Sequence, residues 1–153
     1  MRFAMARKIR ITFFLVLSVL IVVFIFSNSL PSIPESRETS MSFAALLRPL
    51  LDPHHRLDDD VYHNLVRKLA HFVEFGALGV SLTGLSAQFE RKKRYLYGTP
   101  LGVSVLVAFC DEGLQFFTGR GNSIKDVLID STGALCGVLF VAAIILFQHL
   151  RKK

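Results

Sequence analysis

Residues Ile11 to Phe26 read ITFFLVLSVLIVVFIF, an apolar run long enough to form most of one membrane span. The basic residues Arg2, Arg7, Lys8 and Arg10 precede this run, so the segment also has the general form of a secretory signal peptide. Residues 27–34, SNSLPSIP, carry no A-x-A cleavage pattern, and the run is long for the apolar part of a signal peptide. We therefore expect the helix to stay in place as a membrane anchor.

Three further apolar windows follow the first, at about residues 65–87, 95–117 and 127–148. Hydrophobic residues make up 52% of the 153-residue chain, which is more apolar surface than a small soluble domain can bury. The later windows contain glycines, and the Gly133-x-x-x-Gly137 pair would let two helix backbones approach closely. The sequence therefore predicts an all-α, multi-pass protein of the cell membrane, built as a four-helix bundle.

The orientation of this bundle follows from three basic clusters, at residues 1–10, 91–94 and 151–153. Lys and Arg are retained on the cytoplasmic side, and four spans place all three clusters on one side, so both termini are predicted to be cytoplasmic. The net charge of +6 then reflects topology and contact with anionic lipids, and we expect no nucleic-acid partner. The predicted organisation is a basic N-terminus 1–10, transmembrane helix 11–27, outer loop 28–64, core 65–148 with three transmembrane helices, and basic tail 149–153.

The predicted outer loop is long for so small a protein. Its prolines, at positions 31, 34, 49 and 53, argue against one long helix, although Met41 to Leu51 could form a short interfacial helix with Phe43, Leu46, Leu47 and Leu50 at helical spacing. Residues 52–60, DPHHRLDDD, followed by His63, include side chains that bind divalent cations, but their spacing matches no defined site. We expect a solvated acidic loop here, and no metal or cofactor in the protein.

Ionisable residues within membrane spans are costly, and those of this chain gather towards one end of the predicted bundle. Lys68, His71 and Glu74 are three residues apart and line one helix face. Glu112 and Gln115 share a face near the end of the third span, with Asp111 turned away by about 100°. Under the predicted topology, polar residues of the connection between the third and fourth spans, and of the start of the fourth span, also lie at the outer end. The candidate set comprises Lys68, His71, Glu74, Asp111, Glu112, Gln115, Arg120, Ser123, Asp126 and Asp130.

This candidate set supports two interpretations. In the functional interpretation, the first six residues of the set are candidate catalytic groups, because an imidazole beside a carboxylate and an ammonium can transfer a proton near neutral pH. These six are Lys68, His71, Glu74, Asp111, Glu112 and Gln115. The four later residues, Arg120, Ser123, Asp126 and Asp130, are candidate binding groups. In the structural one, the charges extend to the headgroups or pair between helices, and Asp126 only favours a helix N-terminus. We interpret Cys110 and Cys136 as small core residues.

Two stretches carry a family resemblance: KLAHFVEF at residues 68–75, and DEGLQ at 111–115 continuing through Gly119-Arg120 and Ser123 to Asp126, Asp130 and Gly133. Together they resemble the VanZ-like family, whose pattern joins a lysine and a His-Phe pair to Asp-Glu-x-x-Gln, a Gly-Arg turn, and an Asp followed by Asn and Gly. The resemblance covers the chain from about Val66 onward. The chain departs from the pattern at Phe75, where the family often has Tyr, at Thr118, where Pro is frequent, and at Asp130, which is commonly Asn.

The resemblance implies a bacterial membrane protein of a family named after a protein associated with teicoplanin resistance. One hypothesis is a protein that acts on, or binds, an envelope lipid or precursor at the outer leaflet, with membrane lipids and an envelope precursor or glycopeptide antibiotic as partners. The other is a noncatalytic accessory protein that alters access of antibiotics or partners to the membrane surface through the 28–64 loop. A transporter fits poorly, because ionisable groups confined to one leaflet do not form a midplane site.

Overall fold

The computed structural model describes residues 2–30, 44–54, 56–89, 92–117 and 123–151. Helix α1 (Arg2–Ser29) is followed by a short helix α2 over residues 44–51 and by three long helices, α3 (Asp59–Ser86), α4 (Lys93–Phe117) and α5 (Ile124–Leu150). The described residues include no β-strand. The predicted all-α class is confirmed.

The four long helices are each long and apolar enough to cross a membrane. Helix α3 has 28 residues, and at 1.5 Å per residue it extends about 42 Å, more than the roughly 30 Å of a hydrocarbon core. Large apolar side chains cover the outside of the bundle, among them Phe13, Leu106 and Phe140, which are all more than half exposed. Such a surface is normal in lipid and unusual in water. The predicted multi-pass, four-helix membrane fold is therefore confirmed.

Helices α3 and α5 make the most extensive contact, and they run parallel. Phe72 lies opposite Gly133, and Gly76 lies opposite Gly137 one turn later. A Cβ atom on Gly137 would overlap the carbonyl oxygen of Gly76 and stand 2.9 Å from the backbone nitrogen of Val80. The predicted close approach at the Gly133-x-x-x-Gly137 pair is confirmed, and it fixes the register of two of the three helices that carry the candidate polar residues.

Helix α1 packs antiparallel against α3. In the interior, the Ser18 and Ser81 hydroxyls form a 2.9 Å hydrogen bond between the two helices. At the basic end of α1, the Arg7 guanidinium donates to the carbonyl oxygen of Gln88 at 2.7 Å, and the Arg10 side chain donates to the Gln88 side-chain oxygen at 3.1 Å. The N-terminal turns of α1 therefore lie beside the C-terminal end of α3.

Helix α2 is docked on the start of α3. The Tyr62 hydroxyl donates to the Ala44 carbonyl oxygen at 3.0 Å, and the Arg48 guanidinium forms an ion pair with Asp59. Leu46 and Leu50 point away from this contact and are 73% and 78% exposed. The helix lies within the segment predicted to be interfacial, whereas Met41 and Phe43 fall outside the described residues.

The acidic loop before α3 has local structural contacts. The Asp52 carboxylate accepts hydrogen bonds from the backbone N–H groups of Arg56 and Leu57, at 2.8 and 3.2 Å. Asp58 is the N-cap of α3, and its side chain accepts from the Asp59 backbone N–H. These contacts give the carboxylates a role in shaping the turn and starting the helix.

The two cysteines contradict the sequence interpretation. Cys110 and Cys136 are free and exposed, so they lie on the outside of the bundle and not in its core. That prediction was wrong because an apolar span is hydrophobic on all sides, and the pattern does not show which side faces the other helices.

Candidate functional site

A narrow recess, partly open to the surface, lies at one end of the bundle, with about 230 Å³ of space between its walls when open solvent is included. It is formed where α4 ends and α5 begins, at the end of the bundle away from the contacts of Arg7 and Arg10 with Gln88. Helix α3 contributes one side of the recess and α4 and α5 the other. Its walls consist of Arg67, Lys68, His71, Glu112, Gln115, Asp126, Ile129 and Asp130.

His71 stands between two buried carboxylates. Its Nδ1 atom is 3.6 Å from an Asp130 oxygen and 3.9 Å from an Asp111 oxygen. Both aspartates are almost fully buried, at 1% and 0% exposure, while the His71 side chain is 16% exposed. Residues from three helices, α3, α4 and α5, are thereby brought together around one imidazole.

The end of α4 holds its polar residues in the interior. Asp111, Glu112 and Gln115 are all buried. The Gln115 amide donates to Asp111 Oδ2 at 2.8 Å and approaches the Ser29 hydroxyl of α1 at 3.4 Å. Gln115 therefore orients the Asp111 carboxylate towards His71. The roughly 100° between Asp111 and Glu112 places the two carboxylates in different parts of the same polar interior.

The start of α5 contacts α4 through a hydrogen bond and α3 through an ion pair. The Ser123 backbone N–H donates to Glu112 Oε2 at 2.8 Å, although the Ser123 hydroxyl makes no capping hydrogen bond. The Lys68 ammonium lies 3.5 Å from Asp126 Oδ1. Ser123 thus contributes through its backbone, and Asp126 pairs with a cation of α3 besides lying in the first turn of α5.

Glu74 faces a different neighbour. Its Oε1 atom accepts a hydrogen bond from the Asn28 amide of α1 at 3.1 Å, and Glu74 does not line the recess. The predicted helix face of Lys68, His71 and Glu74 therefore divides between two environments, with Lys68 and His71 in the recess and Glu74 against α1.

The predicted binding residue Arg120 lies outside the described residues, so its place in the site stays a prediction. Two residues of the site were not in the predicted set. Arg67 lines the recess and was missed, although it precedes His71 by four residues and so shares its helix face. Asn28 was also missed, because a polar residue at the end of the first span gives no sign of which helix it meets.

Several buried carboxylate oxygens have no hydrogen-bond donor among the described residues. They are Asp111 Oδ1, both Asp130 oxygens, Glu112 Oε1, Asp126 Oδ1 and Glu74 Oε2. Within the described walls of the recess, the only ion pair that involves Lys or Arg joins Lys68 to Asp126. Pairing with Lys or Arg between helices therefore accounts for Asp126, whereas Asp130 has the His71 imidazole at 3.6 Å and no Lys or Arg among the described residues. A buried carboxylate without a partner is costly, so the arrangement favours a group that binds there.

Comparison with known proteins gives one match. A family model described as VanZ/LLP1 matches residues 13–147, which is most of the chain and includes every residue of the recess. No curated protein and no solved structure matches the chain.

Proposed function

The chain belongs to the VanZ/LLP1 family of membrane proteins, and we propose that it binds the phosphate-bearing headgroup of an envelope lipid or lipid-linked precursor at the outer leaflet. The observation that carries the proposal is the recess at the end of the bundle, in which Arg67, Lys68 and His71 stand beside buried polar groups. Polar groups at this depth are rare in a membrane unless a polar ligand reaches them.

The recess is narrow. The space of about 230 Å³ between its walls includes open solvent, and the enclosed part has room for about one water molecule. A headgroup phosphate would therefore be held by Arg67 and Lys68 at the mouth of the recess. A glycopeptide antibiotic is far larger than a drug-sized ligand, for which pockets occupy roughly 300–1,000 Å³, and would not enter.

Arg67 and Lys68 are the more exposed charges of the recess, whereas the carboxylates of Glu112 and Asp130 are buried, so an anion would be attracted to the mouth of the recess and not to its interior. The Lys68 side chain is 38% exposed and Arg67 is partly exposed, so both can meet a headgroup that enters from the membrane surface. Each Lys or Arg near an anionic lipid contributes about 1 kcal/mol of attraction. Arg67 adds a planar guanidinium, which suits phosphate oxygens.

The outer-leaflet location rests on the basic clusters. Arg7 and Arg10 lie at the end of the bundle away from the recess, where they contact Gln88. If these arginines are cytoplasmic, as the positive-inside rule indicates, the recess opens on the outer side. Both termini would then be cytoplasmic, and helix α2 would lie at the outer surface.

The test is lipid binding by purified protein in nanodiscs. Wild type, Lys68→Gln and Arg67→Gln are titrated with a fluorescent lipid phosphomonoester and, separately, with a zwitterionic lipid of the same chain length. We expect each substitution to weaken binding of the phosphomonoester about fivefold, which corresponds to about 1 kcal/mol. Lys93→Gln is the matched control, because it removes one charge from an exposed position at the other end of the bundle. Equal binding of both lipids by all four proteins would refute the proposal.

A second candidate function is a noncatalytic accessory role that alters access of glycopeptides or partners to the membrane surface. The observation in its favour is the docked helix α2, whose Leu46 and Leu50 are exposed. This role predicts that deletion of residues 44–51 abolishes a teicoplanin phenotype while His71→Ala is tolerated. The headgroup site predicts loss of the phenotype with His71→Ala.

A further inference from the structure

We propose that His71, Asp111 and Asp130 form a binding site for one divalent metal cation of the Mn²⁺ or Zn²⁺ type. The candidate ligand atoms, one from each residue, all lie within 4.8 Å of one another. Nothing in the sequence spacing indicated this set, because its members come from three different helices.

The distances suit coordination. Two ligand atoms bound to one ion at about 2.1 Å are at most about 4.2 Å apart. The His71 Nδ1 atom lies 3.6 Å from Asp130 and 3.9 Å from Asp111, which is within this limit and beyond an ordinary hydrogen bond. The Asp111 and Asp130 oxygens lie within 4.8 Å of each other, so a closing movement of at most about 0.6 Å brings this pair within the limit as well.

The unpartnered oxygens of Asp130 are the second observation. Asp130 is 1% exposed, lines the recess and has no hydrogen-bond donor to either oxygen among the described residues. With Asp111, it places two carboxylates around a single imidazole in the interior. A protonated His71 would offset one of these two charges, whereas a divalent cation offsets both.

The chemistry of the donor set indicates the class of metal. Carboxylates suit hard cations such as Mn²⁺, and imidazole suits Zn²⁺ and neighbouring transition metals. The Gln115 amide donates to Asp111 Oδ2 at 2.8 Å, as outer hydrogen bonds to metal-binding carboxylates do. The proposal of a cation site rests on this geometry and does not depend on the proposed function. A further role, in which the cation meets the phosphate of a bound headgroup, rests on the proposed function.

The experiment uses the metal alone. Tag-free protein in detergent is titrated with Mn²⁺ while the electron paramagnetic resonance signal of the free ion is recorded. We expect about one Mn²⁺ per chain, displaced by Zn²⁺, and at least a tenfold loss of affinity in His71→Gln and Asp130→Asn. His149→Gln is the matched control, because it removes an exposed histidine from the last turn of α5, at the other end of that helix.

A second measurement needs no substitution. Electron spin-echo modulation of Mn²⁺ bound to the wild-type protein should show coupling to the nitrogen of one imidazole. The proposal is overturned if the wild type binds neither Mn²⁺ nor Zn²⁺, if the nitrogen coupling is absent, or if folded His71→Gln and Asp130→Asn proteins bind Mn²⁺ like the wild type. Because no lipid is present, such a failure leaves the headgroup proposal standing, and the lysine and arginine variants test that proposal separately.

Discussion

Replacement of Gly137 by alanine tests the packing that holds the polar cluster together. The added Cβ would stand 3.0 Å from the carbonyl carbon of Gly76 and 2.9 Å from the Val80 nitrogen, where ordinary contacts begin at about 3.4 Å. Both neighbours are backbone atoms, so no side-chain rotation can relieve the overlap and the helices must separate. Overpacking of this kind costs about 1–3 kcal/mol.

Unfolding in mixed detergent and SDS, followed by circular dichroism, measures this cost. Gly102→Ala is the matched control, because a Cβ at Gly102 would have no atom within 4 Å. Alanine is a better helix former than glycine by about 1 kcal/mol, so we expect the control to be neutral or slightly more stable than the wild type. Equal stabilities of Gly137→Ala and Gly102→Ala would refute the account of the α3–α5 contact.

Three further substitutions distinguish other contacts. Tyr62→Phe removes the hydrogen bond to the buried Ala44 carbonyl and should cost about 1 kcal/mol, seen as faster proteolysis within residues 44–51. Ser81→Ala removes the link to Ser18 and should cost only about 0.6 kcal/mol in the same SDS unfolding assay, the average for hydrogen bonds between membrane helices; a loss above 2 kcal/mol would contradict this. Lys68→Gln breaks a partly exposed ion pair, so the free energy of unfolding should change by less than about 1 kcal/mol while phosphomonoester binding weakens; a large loss of stability would assign Lys68 a structural role.

Hydropathy and glycine spacing were sufficient to predict the bundle. The apolar windows located four helices, and the four-residue separation of Gly133 and Gly137 indicated a close approach that the structure confirms. The partner of these glycines, the face of α3 at Phe72 and Gly76, could not be predicted because spacing along one helix carries no information about its neighbour.

The sequence predicted at which end of the bundle the candidate residues lie, but not which of them are in contact. The positions of His71 and Asp130 in their spans placed both near the same end of the bundle. Their 3.6 Å separation depends on the parallel packing of α3 and α5, and Glu74 turns to Asn28 of α1 because it lies nearly one turn further along α3. Such pairings are set by tertiary packing, which a single sequence does not reveal. They also bring together His71, Asp111 and Asp130, the residues of the proposed cation site, which the sequence did not predict as a set.

The central claim is that the polar recess is the functional site of this membrane protein. It is tested most directly by susceptibility to teicoplanin and vancomycin in a bacterial strain that lacks the gene and is complemented with wild type, His71→Ala, Glu112→Gln or the control His149→Ala, with membrane levels checked by blotting. We predict that all variants reach the membrane at normal levels, that His149→Ala restores the wild-type phenotype, and that His71→Ala and Glu112→Gln do not. Full complementation by His71→Ala and Glu112→Gln would contradict the account and assign the cluster a structural role.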